Sequence, residues 1–173
     1  MKYISIIFLI FTLTFSQNLF CQTDTLAGRK GLLFSFSGLS LGGGLGGKYW
    51  LSSKNALRLN IEGYYTNNPD SRYYVYSVST LLGIENHFES TNILSPYIGS
   101  SLGFTQSYAN SNISYSRTLD LIGFVGIELW IYRNITLSGE QVISLSYSKN
   151  MWTTSYFYSI NVLTSKLLLS IYL

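Results

Sequence analysis

The stretch ALRLNIEGYYT (residues 56–66) alternates along its length. Leu57, Leu59 and Ile61 fall on one face of an extended chain; Arg58, Asn60 and Glu62 fall on the other. A period of two predicts a β-strand. The pattern fits two opposite proteins. In a soluble barrel the leucines are buried and the charges are wet. In a membrane barrel the leucines meet lipid and the charges point into the lumen. Deciding which face is inside therefore decides what kind of protein this is.

The same alternation recurs along the chain. Strand-like segments are predicted over residues 31–38, 45–51, 56–66, 73–88, 96–108, 117–131, 135–147 and 152–173. In the last, the phase shifts between Val162 and Leu167, which predicts a bulge or an extended loop arm there. Connections alternate in length. SSKN, ESTNIL and YRN form a short set; NNPDSR and ANSNISYS, with SKNM and its tyrosine-rich follow-on, form a longer set. An even number of strands, with short turns at one end and long loops at the other, predicts an antiparallel up-and-down transmembrane β-barrel of eight strands. Both termini then lie on the short-turn, periplasmic side. The glycines of LSLGGGLGG (Gly42, Gly43, Gly44, Gly46 and Gly47) are expected to turn the chain and let strands pack closely. Neither a Lys-Ser/Thr pair nor a helix follows them, so they are not a phosphate loop.

Charge decides between the two orientations. Within the segments, Glu62, Glu85, Asp120, Glu128 and Glu140 take the polar phase, as do Lys48, Arg58 and Lys166. The opposite phase is nearly free of charge. Charged residues make up only 11% of the chain, too few to coat a soluble barrel, where about 25% is ordinary. Aromatics make up 16%, led by 15 tyrosines. They gather at segment ends (Tyr49, Trp50, Tyr97, Trp130 and Tyr172 among them), as interfacial girdles do. The leucines are therefore expected to face lipid. The charges are expected to form a lumen network of Lys48, Arg58, Glu62, Glu85, Glu128, Glu140 and Lys166. Such a network either closes the barrel as a static plug or switches partners as a gate to a narrow pore. A secreted soluble barrel binding an apolar ligand is the reading outside the membrane.

The first residues have the layout of a secretory signal: Lys2, an apolar run from Tyr3 to Phe15, then a polar step before Cys21. Cleavage after Cys21 divides the chain into a signal peptide (1–21), a short periplasmic segment (22–29) and the barrel (30–173). The alternative makes Cys21 a lipidated N-terminus, but Leu19-Phe20 is a poor match to the Leu-small-small-Cys pattern. With the lone cysteine removed, disulfides, thiolate metal sites and cysteine nucleophiles are excluded from the mature chain. The net charge of +3, without a basic cluster, points to no nucleic acid partner. No metal or other cofactor is expected.

SPYIGSSLGF (residues 95–104) resembles the Pro-Tyr-x-Gly-x-Gly-x-Gly strand of the OmpA/OmpX-like outer-membrane β-barrel superfamily, with Ser101 where a glycine is usual. GIELWIYRNITLSGE (residues 126–140) is similar to the family's strand, tight turn and strand ending in an inward Glu. The C-terminal SKLLLSIYL resembles the signal read by the barrel-assembly machinery, through Lys166, Leu169, Ile171 and Leu173. Leu168 and Leu173 replace its usual glycine and terminal aromatic. The resemblance implies an outer-membrane location and a monomer. It also implies contact with outer-membrane lipid and lipopolysaccharide, and passage through periplasmic chaperones and the assembly machinery. It implies little about activity. Lipid-A-trimming barrels use a His and a Ser, and the one histidine here, His87, is followed by Phe88-Glu89-Ser90. Alternation places it in the lumen at the periplasmic end, the wrong place for that chemistry, so His87 is expected to be structural, near Glu85, and the protein non-enzymatic. Tyr73, Tyr74, Tyr108, Tyr115, Trp152 and Tyr156 are expected near the outer loops, as a possible binding rim.

Overall fold

The structure, a computed structural model, describes residues 26–37, 42–68, 73–88, 93–110, 114–151 and 155–173. The signal peptide, Cys21, Ser90 and Trp152 lie outside them. Eight strands follow in order: β1 (Lys30–Ser37), β2 (Gly42–Trp50), β3 (Asn55–Asn68), β4 (Tyr73–His87), β5 (Leu94–Ala109), β6 (Ser114–Tyr132), β7 (Ile135–Asn150) and β8 (Tyr156–Tyr172). Each pairs antiparallel with the next, and β1 pairs with β8 from Gly31↔Tyr172 to Ser37↔Lys166. The sheet is thus a closed barrel with no free edge, in which every strand's hydrogen bonds are met by a neighbour.

The faces separate as alternation requires. Leu57, Leu59 and Ile61 are exposed on the outside, while Arg58 and Asn60 are buried inside. Leu82, Leu102, Leu119, Val125, Ile127 and Ile143 continue the outer face, each about half exposed or more (Leu102 reaches 66%). An unbroken apolar band of this kind is far larger than the patches that water-soluble monomers expose. It is the lipid-facing surface of a transmembrane barrel.

Two features differ from the expectation. The glycine-rich segment does not turn the chain: Gly42 to Gly47 lie within β2, paired with β1 and β3. Lumen-facing Gly46 touches β3 so closely that a Cβ there would lie 2.0 Å from Asn60 Oδ1 and 2.1 Å from the Leu59 carbonyl oxygen. Close strand approach, not turning, explains the run. Among the described residues the last strand starts at Tyr156, so Ser155, expected within it, lies before it. Its shift in phase is present, because Val142 pairs with Thr164 while Ser144 pairs with Asn161. Three residues of β8 span two of β7, a bulge that re-aims the strand toward the loop end.

Candidate functional site

The polar phases of all the strands converge on the lumen. Nearest the termini, Lys48 Nζ of β2 lies 2.7 Å from Glu85 of β4 and 3.1 Å from Glu128 of β6. Arg58 of β3 donates Nη1 to Glu85 at 3.1 Å, and grips Glu140 of β7 with both Nη1 and Nη2. In an eight-stranded ring, β2 stands opposite β6 and β3 stands opposite β7. The Lys48–Glu128 and Arg58–Glu140 pairs are therefore two crossbars spanning the barrel, and Glu85 ties one to the other. Both cations and all three carboxylates are buried.

Hydroxyl and ring donors complete each carboxylate. Tyr97 OH donates to Glu140 at 2.8 Å. Tyr172 OH and Thr136 Oγ1 donate to Glu128 at 2.9 and 2.8 Å. Burying charge is tolerable only when geometry and hydrogen bonds replace lost water, and each carboxylate here has at least two partners. His87 lies 3.0 Å from Glu85 through Nε2 and 2.9 Å from Ser95 Oγ through Nδ1. The order Ser95, His87, Glu85 imitates a nucleophile–base–acid relay. All three are buried, however, and Glu85 also serves Lys48 and Arg58. The histidine is joined to the network through Glu85.

Aromatic rings pack around the crossbars. Trp50 lies against His87 with ring centroids 4.5 Å apart, His87 stacks on Tyr97 at 4.9 Å, and Trp130 stacks on Tyr172 at 5.2 Å. Lys48 Nζ sits 4.9 Å from the Trp50 ring, and Arg58 Cζ sits 3.9 Å from that of Phe124. This corrects the girdle assignment of Trp50, Tyr97, Trp130 and Tyr172, which plug the lumen instead of marking the interface. Gly126 makes room, since a Cβ there would meet the Tyr97 ring at 2.5 Å. Above the plug, Arg58, Asn60, Leu81, Ile122, Val142 and Leu168 border a cavity of about 10 Å³, room for about one water molecule.

Farther from the termini the lumen changes character. Lys166 Nζ pairs with both oxygens of Glu62 at 2.8 and 2.9 Å, and Ser35 donates to the same carboxylate. Asp120 accepts from Thr105 and Ser146, Ser79 bonds Thr105, and Thr118 bonds Ser148. The structure places Lys48, Arg58, Glu85, Glu128 and Glu140 in one lumen group and Glu62 and Lys166 in another. The outer tyrosines also divide in two. Tyr74, Tyr76 and Tyr108 cluster on β4 and β5; Tyr147, Tyr156 and Tyr158 cluster on β7 and β8, with Tyr115 beside Arg117. Tyr73 opens β4. At the C-terminus, Leu169 and Ile171 take the outward phase of β8, opposite Phe34 and Leu32. Among the described residues no group of His, Cys, Asp and Glu could hold a metal ion.

No family model and no curated protein matches the sequence. Solved structures do match the fold. The N-terminal β-barrel domain of Pseudomonas aeruginosa OprF superposes with a TM-score of 0.56 at 13% identity, covering 89% of this chain and 100% of that one. Neisserial surface protein A superposes with a TM-score of 0.50, also at 13% identity, covering 83% of this chain and 92% of that one. The chain has the fold of the small outer-membrane β-barrels. The barrel keeps that architecture with little sequence in common, because the fold asks only for alternation, closure and a filled lumen.

Proposed function

We propose that this protein is a non-enzymatic outer-membrane barrel with a closed lumen, serving the envelope as a structural or surface-interaction protein through its outer loops. The end bearing both termini faces the periplasm; the longer loops face outward. The observation that carries this reading is the pair of buried crossbars, which fill the cross-section where a pore would be narrowest. The chain reaches the membrane as a monomer, through periplasmic chaperones and an assembly machinery that reads Lys166, Leu169, Ile171 and Leu173 on the closing strand. Its outer face contacts outer-membrane lipid and lipopolysaccharide.

The test is reconstitution into liposomes loaded with a small fluorescent solute, with insertion followed by the gel shift between boiled and unboiled samples. A closed barrel inserts and retains the solute. Insertion with leakage makes it a narrow pore, and a folded product left in solution reverses the assignment of faces. Leu59→Arg sharpens the last point. A cation at the lipid midplane costs about 2–4 kcal/mol, so this variant is expected to lose the heat-modifiable form.

A further inference from the structure

The outer surface near the loop end carries a charge arrangement that the lumen does not explain. Arg117 of β6 and Lys149 of β7 are direct cross-strand partners. They share the outward phase of Leu119 and Tyr147. Like charges directly opposite one another destabilise a sheet. The described acidic residues (Glu62, Glu85, Asp120, Glu128 and Glu140) all lie in the lumen, and the loop segments 109–114 and 150–156 contain no acid. Arg117 instead leans over Tyr115, at 5.6 Å, and Lys149 over Tyr156, at 5.5 Å. Gln106 pairs with Arg117, and Tyr156 with Lys149, so the row Gln106–Arg117–Lys149–Tyr156 offers an amide, a guanidinium, an ammonium and a phenol side by side. Immediately below, Leu119, Leu121, Leu145, Tyr147, Tyr158 and Ile160 border an apolar groove of about 660 Å³.

We propose that this row is a binding site for an anionic outer-leaflet lipid, a phosphorylated glycolipid whose phosphate sits between Arg117 and Lys149 and whose acyl chain lies in the groove. The guanidinium fork matches two phosphate oxygens and the ammonium supplies a second point charge. Tyr147, Tyr156 and Tyr158 form a contacting cluster at this level, the position of interfacial aromatics at the headgroups. The combination selects a lipid over a free anion, because the cations stand directly over an acyl-sized apolar surface. The inference rests on the reading that the outer face of the barrel lies in the membrane with its loop end outward.

The full-length protein, purified from membranes, is placed in phosphatidylcholine vesicles. These are used alone, with bisphosphorylated lipid A, with dephosphorylated lipid A, or with inorganic phosphate. Insertion is scored by gel shift, and stability by the temperature at which the folded band disappears. Bisphosphorylated lipid A is expected to raise that temperature, by less as salt is added. The joint change Arg117→Gln and Lys149→Gln is expected to keep insertion and weaken apparent lipid A affinity by about tenfold or more. Arg133→Gln, at the other end, is expected to change neither. Equal stabilisation by dephosphorylated lipid A or by inorganic phosphate overturns the site, as does a shift that survives the double substitution. Failure of the unaltered protein to insert overturns the membrane reading, and the site with it.

Discussion

The two halves of the lumen are built from similar side chains in opposite ways. Near the termini the polar bonds cross the barrel: Lys48 reaches from β2 to β6, and Arg58 from β3 to β7. Toward the loops they run along the wall between neighbouring strands, as in Ser79–Thr105, Thr105–Asp120, Asp120–Ser146 and Thr118–Ser148. Side-chain reach explains the difference. Lysine, arginine and glutamate can span an eight-stranded ring from both sides; the short hydroxyl and carboxylate side chains around Asp120 bond only to the adjacent strand. Water access follows. The crossbar charges are buried, while Lys166 and Glu62, at the transition, retain 18% and 16% of their side-chain exposure. A long charged pair thus closes the lumen only where each member has several partners to replace water.

The largest effect is expected from Arg58→Ala. It strips the cation that Glu85 and Glu140 share, leaving carboxylates buried with fewer partners. Removing one member of a buried pair costs about 3–5 kcal/mol. The denaturant midpoint of the barrel in lipid vesicles measures this, and solute leakage reports whether the crossbar also seals the lumen. If Asp120→Asn, in the wall-bound half, lowers the midpoint equally, the contrast between the halves is lost. A smaller loss is expected from Tyr97→Phe, which keeps the ring against His87 and Phe124 but removes the donor to Glu140. Hydrogen bonds to charged groups contribute about 1.5–3 kcal/mol, measured by the same midpoint. A loss no greater than that of a surface substitution would show that Arg58 alone satisfies Glu140.

The separation of faces was legible in the sequence, because a period of two with charge on one phase has few other physical meanings. The pairing inside was not. That Lys48 meets Glu128 and Arg58 meets Glu140 depends on closure and on the register of all the strands, which no local pattern encodes. The aromatic plug is hidden in the sequence for a different reason. Aromatics at strand ends carry the girdle signature, yet Trp130 shares its phase with Glu128, and Trp50 shares its phase with Lys48. Phase, rather than position along the strand, was the signal for these residues. The apolar layer of Ile122, Phe124 and Val142 was hidden in a similar way, since Leu121 to Val125 is apolar in both phases apart from Gly123.

The smallest effect is expected from Lys166→Ala. The ammonium contacts both Glu62 oxygens, so its geometry is as good as that of the crossbars. What differs is the remainder of the environment. Glu62 keeps the Ser35 hydroxyl, and both members of the pair retain contact with water. Ion pairs in reach of solvent contribute about 0–1 kcal/mol, so the midpoint is expected to move by no more than that, and the solute to stay inside the vesicles. A loss approaching that of Arg58→Ala would mean that the Glu62–Lys166 pair is sealed from water in the membrane. The plug would then extend toward the loops, and the wall-bound half would shrink to the hydroxyl layer around Asp120.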